Sequence, residues 1–525
     1  MTPVTAEQLA TRYGPRYKWY VTVTVMLGTI AMVLSATIVN VALPDIMGEF
    51  GMGQDKAQWL STAFLASMTA TMLVTAWATS NFGVRATYTF ALAAFTIGSI
   101  LGGLSPSDDT LIIARAIQGA AAGLVQPLAM VVIFQAFPPT ERGTAMGIFG
   151  VGVILAPALG PALGGMLIDN YSWRHVFFLG PPFCAAGMLL APVFLATRSA
   201  NRTQIFDWPG FALLSTALAV LLASLANGQR QGWDSPLITG GFVVAALCSI
   251  AFVYREGRTS SPILALRVYL NPRFVAASAV AFILGLGLYG STYLVPLFVQ
   301  TVQGYTPTES GLLLMPAGVI LGFVFPMAGR LSDRLPPHAL ILSGLLLFGI
   351  SSALMADADT STEFWTFAGW VVVGRIGLGF ILPSLNVGAL RTLDHGLVSQ
   401  GAGAINFMRQ LGGAVGVSIL SVYLERQTTF FAGELNALQT GNAAAASTLD
   451  GIALLLARAG ISDNVHVALR SEEAYMFLSR MIAAQASVMG FRESFLLVAI
   501  VFFTALVPAW YMRPRRQPLQ KKPHV

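Results

Sequence analysis

Of the chain's 525 residues, 55% are hydrophobic and only 10% are charged, with a mean hydropathy of +0.69. Soluble domains carry roughly a quarter charged residues, so this composition excludes an ordinary soluble fold and requires a surface that faces lipid. The net charge of +6 sits beside the ends of apolar stretches rather than on one compact surface, which argues against a nucleic-acid partner.

A membrane-spanning helix needs about 20 apolar residues. Fourteen stretches meet that requirement: 20–42, 59–79, 86–104, 111–133, 144–168, 175–196, 209–226, 237–254, 274–299, 310–328, 339–356, 366–388, 402–424 and 493–511. Neighbouring helices can satisfy a backbone disturbed by Gly or Pro, so those residues do not exclude a span. With the N-terminus in the cytoplasm, 19 Lys/Arg fall inside, 8 outside and 3 within spans, while acidic residues divide 6 inside and 18 outside. The Lys/Arg bias sets the orientation, with both termini cytoplasmic. The first span is full length and lacks a small-residue cleavage pattern, so it is expected to remain as an anchor.

The spans group into an all-α integral membrane protein. Residues 1–19 form a cytoplasmic N-terminus, 20–197 a six-helix bundle, and 198–273 a linker with two inserted helices. Residues 274–511 form a second six-helix bundle with an outward segment at 425–490, and 512–525 a basic tail suited to anionic lipid. The halves carry a weak parallel echo: 76–85 follows the second helix as 329–338 follows the tenth, and Arg115 is placed in the fourth helix as Arg375 is in the twelfth. Paired bundles around a central path are one secondary-transporter design. Within the outward segment, 464–484 alternates charged and apolar positions, which predicts a helix on the membrane surface or against a partner. Cys184 and Cys248 both fall in apolar spans, where packing is their expected role.

No span centre holds Asp, Glu, Lys or His; the interior charges are Arg115, Arg375 and Arg409. Such groups face the bundle interior or a cavity. Arginine does not release a proton near neutral pH, so these three suit helix register, gating or attraction of an anion. Gln118 and Gly119 follow Arg115 at helical spacing, Gln126 comes two turns later, and the Gly/Ala run at 119–123 permits close helix contact. The fifth helix combines Pro157, Gly160, Pro161, Gly164 and Gly165, a composition suited to a flexing seam between bundles. Ser35, Thr37, Asn40, Tyr293, Asn386 and Asn406 are polar groups expected to point inward, toward substrate or neighbouring helices. Protonatable groups lie only near span ends: Glu309, Asp333, Glu425 and Glu493. Asp333, beside Arg334 in a cytoplasmic turn, suits docking on a helix N-terminus or an arginine, and Glu309 suits capping of the tenth helix.

Together these residues resemble the major facilitator superfamily, specifically its fourteen-helix drug:proton antiporters of the EmrB/QacA type. The resemblance spans about 19–511 and rests on Thr37-Ile38-Val39-Asn40-Val41-Ala42-Leu43-Pro44, Arg115 with Gln118 and Gly119, Gly160-Pro161-Ala162-Leu163-Gly164-Gly165, Trp173-Arg174, Asp207-Trp208, Gly304-Tyr305, and Arg409 to Gly413. It implies alternating-access export of varied hydrophobic or amphipathic compounds across a bacterial inner membrane, powered by inward proton flow without a cofactor. With these motifs and the protonatable span ends together, proton coupling or gating is expected at Arg115, Gln118, Asp333, Arg334, Arg409, Glu425 and Glu493. Small-molecule substrates and membrane lipids are its implied partners, and in some relatives a periplasmic adaptor and outer-membrane channel.

The chain departs from the pattern twice: Ser35 stands where an Asp is usual, and Ser80-Asn81 where the second loop usually carries Asp-Arg. Those losses favour neutral or anionic substrates, including fatty-acid-like or phenolic ones, over cations. They also keep open export of a specific metabolite or lipid without standard proton coupling, and a non-transporting sensor or scaffold. No nucleophile–base pair, metal cluster or phosphate loop points to an enzyme.

Overall fold

A computed structural model describes residues 6–52, 54–197, 205–439 and 472–513. Fourteen long helices organise it: α1 (Tyr17–Phe50), α2 (Gln54–Phe82), α3 (Val84–Gly103), α4 (Asp108–Ala136), α5 (Arg142–Asn170), α6 (Gly180–Phe194), α7 (Trp208–Gln231), α8 (Pro236–Glu256), α9 (Pro272–Thr301), α10 (Pro307–Arg334), α11 (Pro337–Met355), α12 (Phe364–Leu390), α13 (Val398–Gln439) and α14 (Glu472–Thr504). Among the described residues thirteen candidate spans are long and apolar enough to cross a membrane. The fourteenth is α5, whose 29 residues exceed the crossing length.

Local chemistry marks the helix ends. Ser107 caps α4 by accepting from the Thr110 amide at 3.3 Å, and Asn271 caps α9 through the Arg273 amide at 3.0 Å. Thr306 and Glu309 form a reciprocal capping box on α10. Pro236, Pro272, Pro307 and Pro337 each open a helix where a missing amide hydrogen costs nothing.

Helices α1–α6 and α9–α14 form the two bundles, and the inserted pair α7–α8 packs on α2 and α13. Inside the first bundle the α2–α4 contact is backbone-close. A Cβ at Gly119 would collide with the Phe64 carbonyl, and one at Gly123 with the Met68 carbonyl. Thr71 then reaches across to the Ala120 carbonyl at 2.9 Å. This small-xxx-small pair lets dispersion and hydroxyl bonds replace a hydrophobic drive that lipid does not supply.

The outward segment differs from its predicted form. Helix α13 continues past residue 424 to Gln439, about 22 Å further at 1.5 Å per residue, and α14 begins at Glu472. From 472 onward, the predicted surface helix is therefore the opening of the last spanning helix; 464–471 lie outside the described residues. Its buried stripe is Leu478, Ile482 and Ala486, one turn apart, and α14 packs along α13, where Gly490 abuts Thr428. The apolar period therefore serves a neighbouring helix rather than the lipid surface.

Gly123→Ala should push α2 and α4 apart, destabilising the fold by about 1–3 kcal/mol as overpacking does. The thermal midpoint of the purified protein in detergent checks this, with Gly318→Ala, whose added methyl meets open space, as the neutral comparison.

Candidate functional site

The two bundles meet in the cytoplasmic half of the molecule. Helices α5 and α10 cross backbone to backbone there: a Cβ on Gly329 would lie 2.5 Å from the Gly143 carbonyl, and one on Gly147 would lie 2.5 Å from the Phe325 carbonyl. Further out on the same helices, Gly165, Gly311 and Gly318 meet nothing within 4 Å. The arrangement is closed toward the cytoplasm.

Asp333, at the end of α10, fastens this seam. Its Oδ1 accepts from the Gly143 amide at 2.6 Å, and its Oδ2 accepts from the Thr144 amide at 2.9 Å and the Thr144 hydroxyl at 2.8 Å. These amides are free donors of the first turn of α5, so a carboxylate from one bundle caps the positive helix end of the other. Arg391 on α12 stands 3.9 Å from Asp333 Oδ1 and donates to the Pro139 carbonyl at 3.2 Å. Arg334 is exposed and, among the described residues, makes no hydrogen bond to this latch.

Arg115 is fully buried in the first bundle. Its Nε donates to the Leu60 carbonyl at 3.1 Å, and Nη1 to the Ser35 hydroxyl at 3.2 Å, the Ser35 carbonyl at 3.3 Å and Gln118 Oε1 at 2.9 Å. Gln118 passes the network to Ser99 on α3 at 2.8 Å, and the guanidinium lies 4.2 Å from the Phe64 ring centroid. Four helices are thereby tied through one cation met by neutral oxygens, and Nη2 has no hydrogen-bond partner among the described residues.

A second polar group forms where α4 meets α13. Asn406 donates to Met130 Sδ at 3.1 Å and accepts from Arg409 Nη2 at 2.5 Å. Because α4 and α13 run antiparallel, Gln126 and Arg409 both sit about one turn outward of that contact. Gln126 Oε1 and Arg409 Nη1 are both buried without a partner among the described residues. Asn386 on α12 is likewise buried with both amide atoms unpaired. Unpaired polar atoms at this depth are costly in an apolar interior.

Other expected site residues sit elsewhere. Tyr293 donates to the Ser421 hydroxyl at 3.1 Å inside the second bundle, and Thr37 donates to the Leu34 carbonyl at 3.2 Å. Gly160 and Gly164 pack on Thr37 and Ile38 of α1, within their own bundle, so the interbundle role falls to Gly143 and Gly147 at the other end of α5. Gly165 faces open space, and the side chains of Asn40, Pro157 and Pro161 lie outside the described residues. Glu425 is exposed and Glu493 half-buried; neither enters the central polar groups. At the outer face, Glu49 accepts from Arg174 at 2.6 and 2.7 Å and from Trp173 Nε1 at 2.5 Å. Those bonds hold its carboxyl below the usual range, so this clamp is fully present at neutral pH and is lost as pH falls through the depressed value.

Arg115→Lys should lower stability by about 1–3 kcal/mol, because an ammonium lacks the planar fork that serves acceptors on α1, α2 and α4 together. A fall in thermal midpoint, absent in Arg334→Lys, is the expected reading.

The geometry fits what comparison with other proteins finds. The Major Facilitator Superfamily matches residues 25–417. Multidrug resistance protein 3 of Bacillus subtilis is 28% identical over 519 residues, covering 97% of this chain and 95% of the relative. The uncharacterized MFS-type transporter YhcA of the same organism is 28% identical, covering 95% and 94%. The multidrug resistance protein B homolog of Mycobacterium tuberculosis is 28% identical over 77% of this chain and 75% of its own length. Among solved structures, the human organic anion transporter MFSD10 superposes with a TM-score of 0.53 at 15% identity, covering 92% of this chain and 99% of that one, which bears on the fold alone. The chain belongs to the Major Facilitator Superfamily, among relatives named as multidrug resistance proteins and transporters.

Proposed function

We propose that this protein exports hydrophobic or amphipathic small molecules from the cytoplasm or inner leaflet, by alternating access driven by inward proton flow. The observation that carries the reading is the one-sided seam: bundles joined at the cytoplasmic end where Asp333 of α10 caps α5, with open space at Gly165, Gly311 and Gly318 further out. A transporter must hold one side shut while the other is open, and a seam of a few hydrogen bonds and glycine contacts can be both made and broken. Relatives named for multidrug resistance support the direction and the substrate class.

The substrate is neutral or anionic. Arg115 and Arg409 leave guanidinium nitrogens unpaired, while Ser35 puts a hydroxyl where a carboxylate would attract a cation. Ser35 also supports the second reading, export of one metabolite or lipid without standard coupling. A bacterial inner membrane suits the charge pattern, and the extensions of α13 and α14 beyond the span offer a surface for a periplasmic adaptor.

Uptake into inside-out proteoliposomes, with pH gradient and voltage imposed separately, tests the reading. Accumulation of an anionic or neutral amphiphile should require an acidic interior; equal accumulation without any gradient would refute proton drive. Asp333→Asn should lower that uptake about tenfold or more, a change of ~1.4 kcal/mol, while leaving substrate binding in place. Ser35→Asp should shift preference toward cationic probes in competition binding.

A further inference from the structure

Among the described residues the polar groups between the bundles include no carboxyl, but the inserted hairpin holds two in one buried place. Asp207, immediately before α7, and Glu256, the last residue of α8, are 5% and 4% exposed. Among the described residues, all donors to Asp207 converge on Oδ1: Arg255 Nε at 2.7 Å, Arg255 Nη2 at 2.7 Å and the Gly210 amide at 3.2 Å. Glu256 Oε2 accepts from the Leu264 amide at 3.1 Å. The other oxygen of each, Asp207 Oδ2 and Glu256 Oε1, is buried without a partner among the described residues. Both face the same glycine: a Cβ on Gly210 would collide with Asp207 Oδ2 and lie 3.2 Å from Glu256 Oε1.

Two orphaned carboxyl oxygens beside the same glycine repel if both groups are ionised, and one proton on the pair removes that repulsion. Among the described residues, the surroundings balance only one negative charge. Arg255 is committed to Asp207 Oδ1, and Arg258 turns away over the Tyr254 ring at 4.3 Å. Arg267 is exposed; α2 brings an aromatic contact, Trp77 against Phe206. From α13 comes the neutral Gln400, which accepts from the Ala265 amide at 3.0 Å. The strap held by Glu256 at Leu264 is thus also tied, one residue on, to the cytoplasmic start of α13, the helix that meets α4 of the other bundle.

We propose that Asp207 and Glu256 form a paired site that holds one proton in the cytoplasmically closed state, and that this proton is the one coupled to transport. The coupling half rests on the export reading above; the proton site stands apart from it.

Infrared titration of the full-length protein in lipid tests the site. The wild type should show a protonated-carboxyl stretch near neutral pH that Glu256→Gln lacks and Asp207→Asn displaces. Its thermal midpoint should fall as pH rises through that titration, because the folded state then loses a bound proton, and Glu256→Gln should flatten the slope. A wild-type spectrum without the band, or a band unchanged in both variants, overturns the site. Should Glu256→Gln fail to fold, the wild-type band and its displacement in Asp207→Asn decide alone.

In proteoliposomes, Glu256→Gln should bind substrate yet lose gradient-driven accumulation at least about tenfold. Accumulation equal to wild type overturns the coupling role. Wild-type vesicles that never accumulate substrate overturn the export reading and its coupling role, leaving the infrared result to decide the proton site.

Discussion

A carboxylate from one bundle capping a helix of the other is the interaction on which the closed state depends. Asp333 satisfies two free amides and a hydroxyl at the start of α5, and it reaches them only because Gly143, Gly147 and Gly329 let the two backbones touch. Hydrogen bonds to a charged group are worth roughly 1.5–3 kcal/mol each. That range is enough to bias two arrangements and small enough for differential ligand binding to reverse. The same glycines that admit the latch make the seam flat, so separating the bundles costs contacts rather than a rearranged core.

The interior electrostatics follow from a different constraint. A guanidinium buried at Arg115 must find acceptors, and with Ser35 in place of an acid it uses the Ser35, Leu60 and Gln118 oxygens and the face of Phe64. This ties four helices of the first bundle while leaving net positive charge uncompensated inside. Among the described residues no carboxyl joins these polar groups, and the buried carboxyls Asp207 and Glu256 lie at the base of the inserted pair instead. The hairpin α7–α8 is therefore more than a spacer: through Leu264, Ala265 and Gln400 it touches the cytoplasmic start of α13.

Much of this was legible in residue order. Apolar length gives the helices, and Gly119 with Gly123 at four-residue spacing announces the close α2–α4 contact. A carboxylate in a short cytoplasmic turn is legible as a helix cap; that its partner is α5, 190 residues earlier, is tertiary information. Small residues at 157–165 read as the seam because composition does not say which end of a helix meets the other bundle. Glu256 was hidden for a similar reason. At the end of a span, a lone glutamate resembles a loop charge until the fold buries it beside Asp207. The long reach of α13 and α14 beyond the lipid was obscured because polar turns continue a helix without an apolar signal.

The central claim is that the two faces open and close reciprocally. Spin labels on two pairs test it directly: Thr140 with Leu335 across the cytoplasmic seam, and Asp45 with Thr301 toward the outer face, all but Thr301 and Asp45 being close to the latch and all four exposed. On adding substrate or changing pH, the account expects the cytoplasmic distance to lengthen as the outer distance shortens. Distances that stay fixed, or that lengthen together, would contradict it.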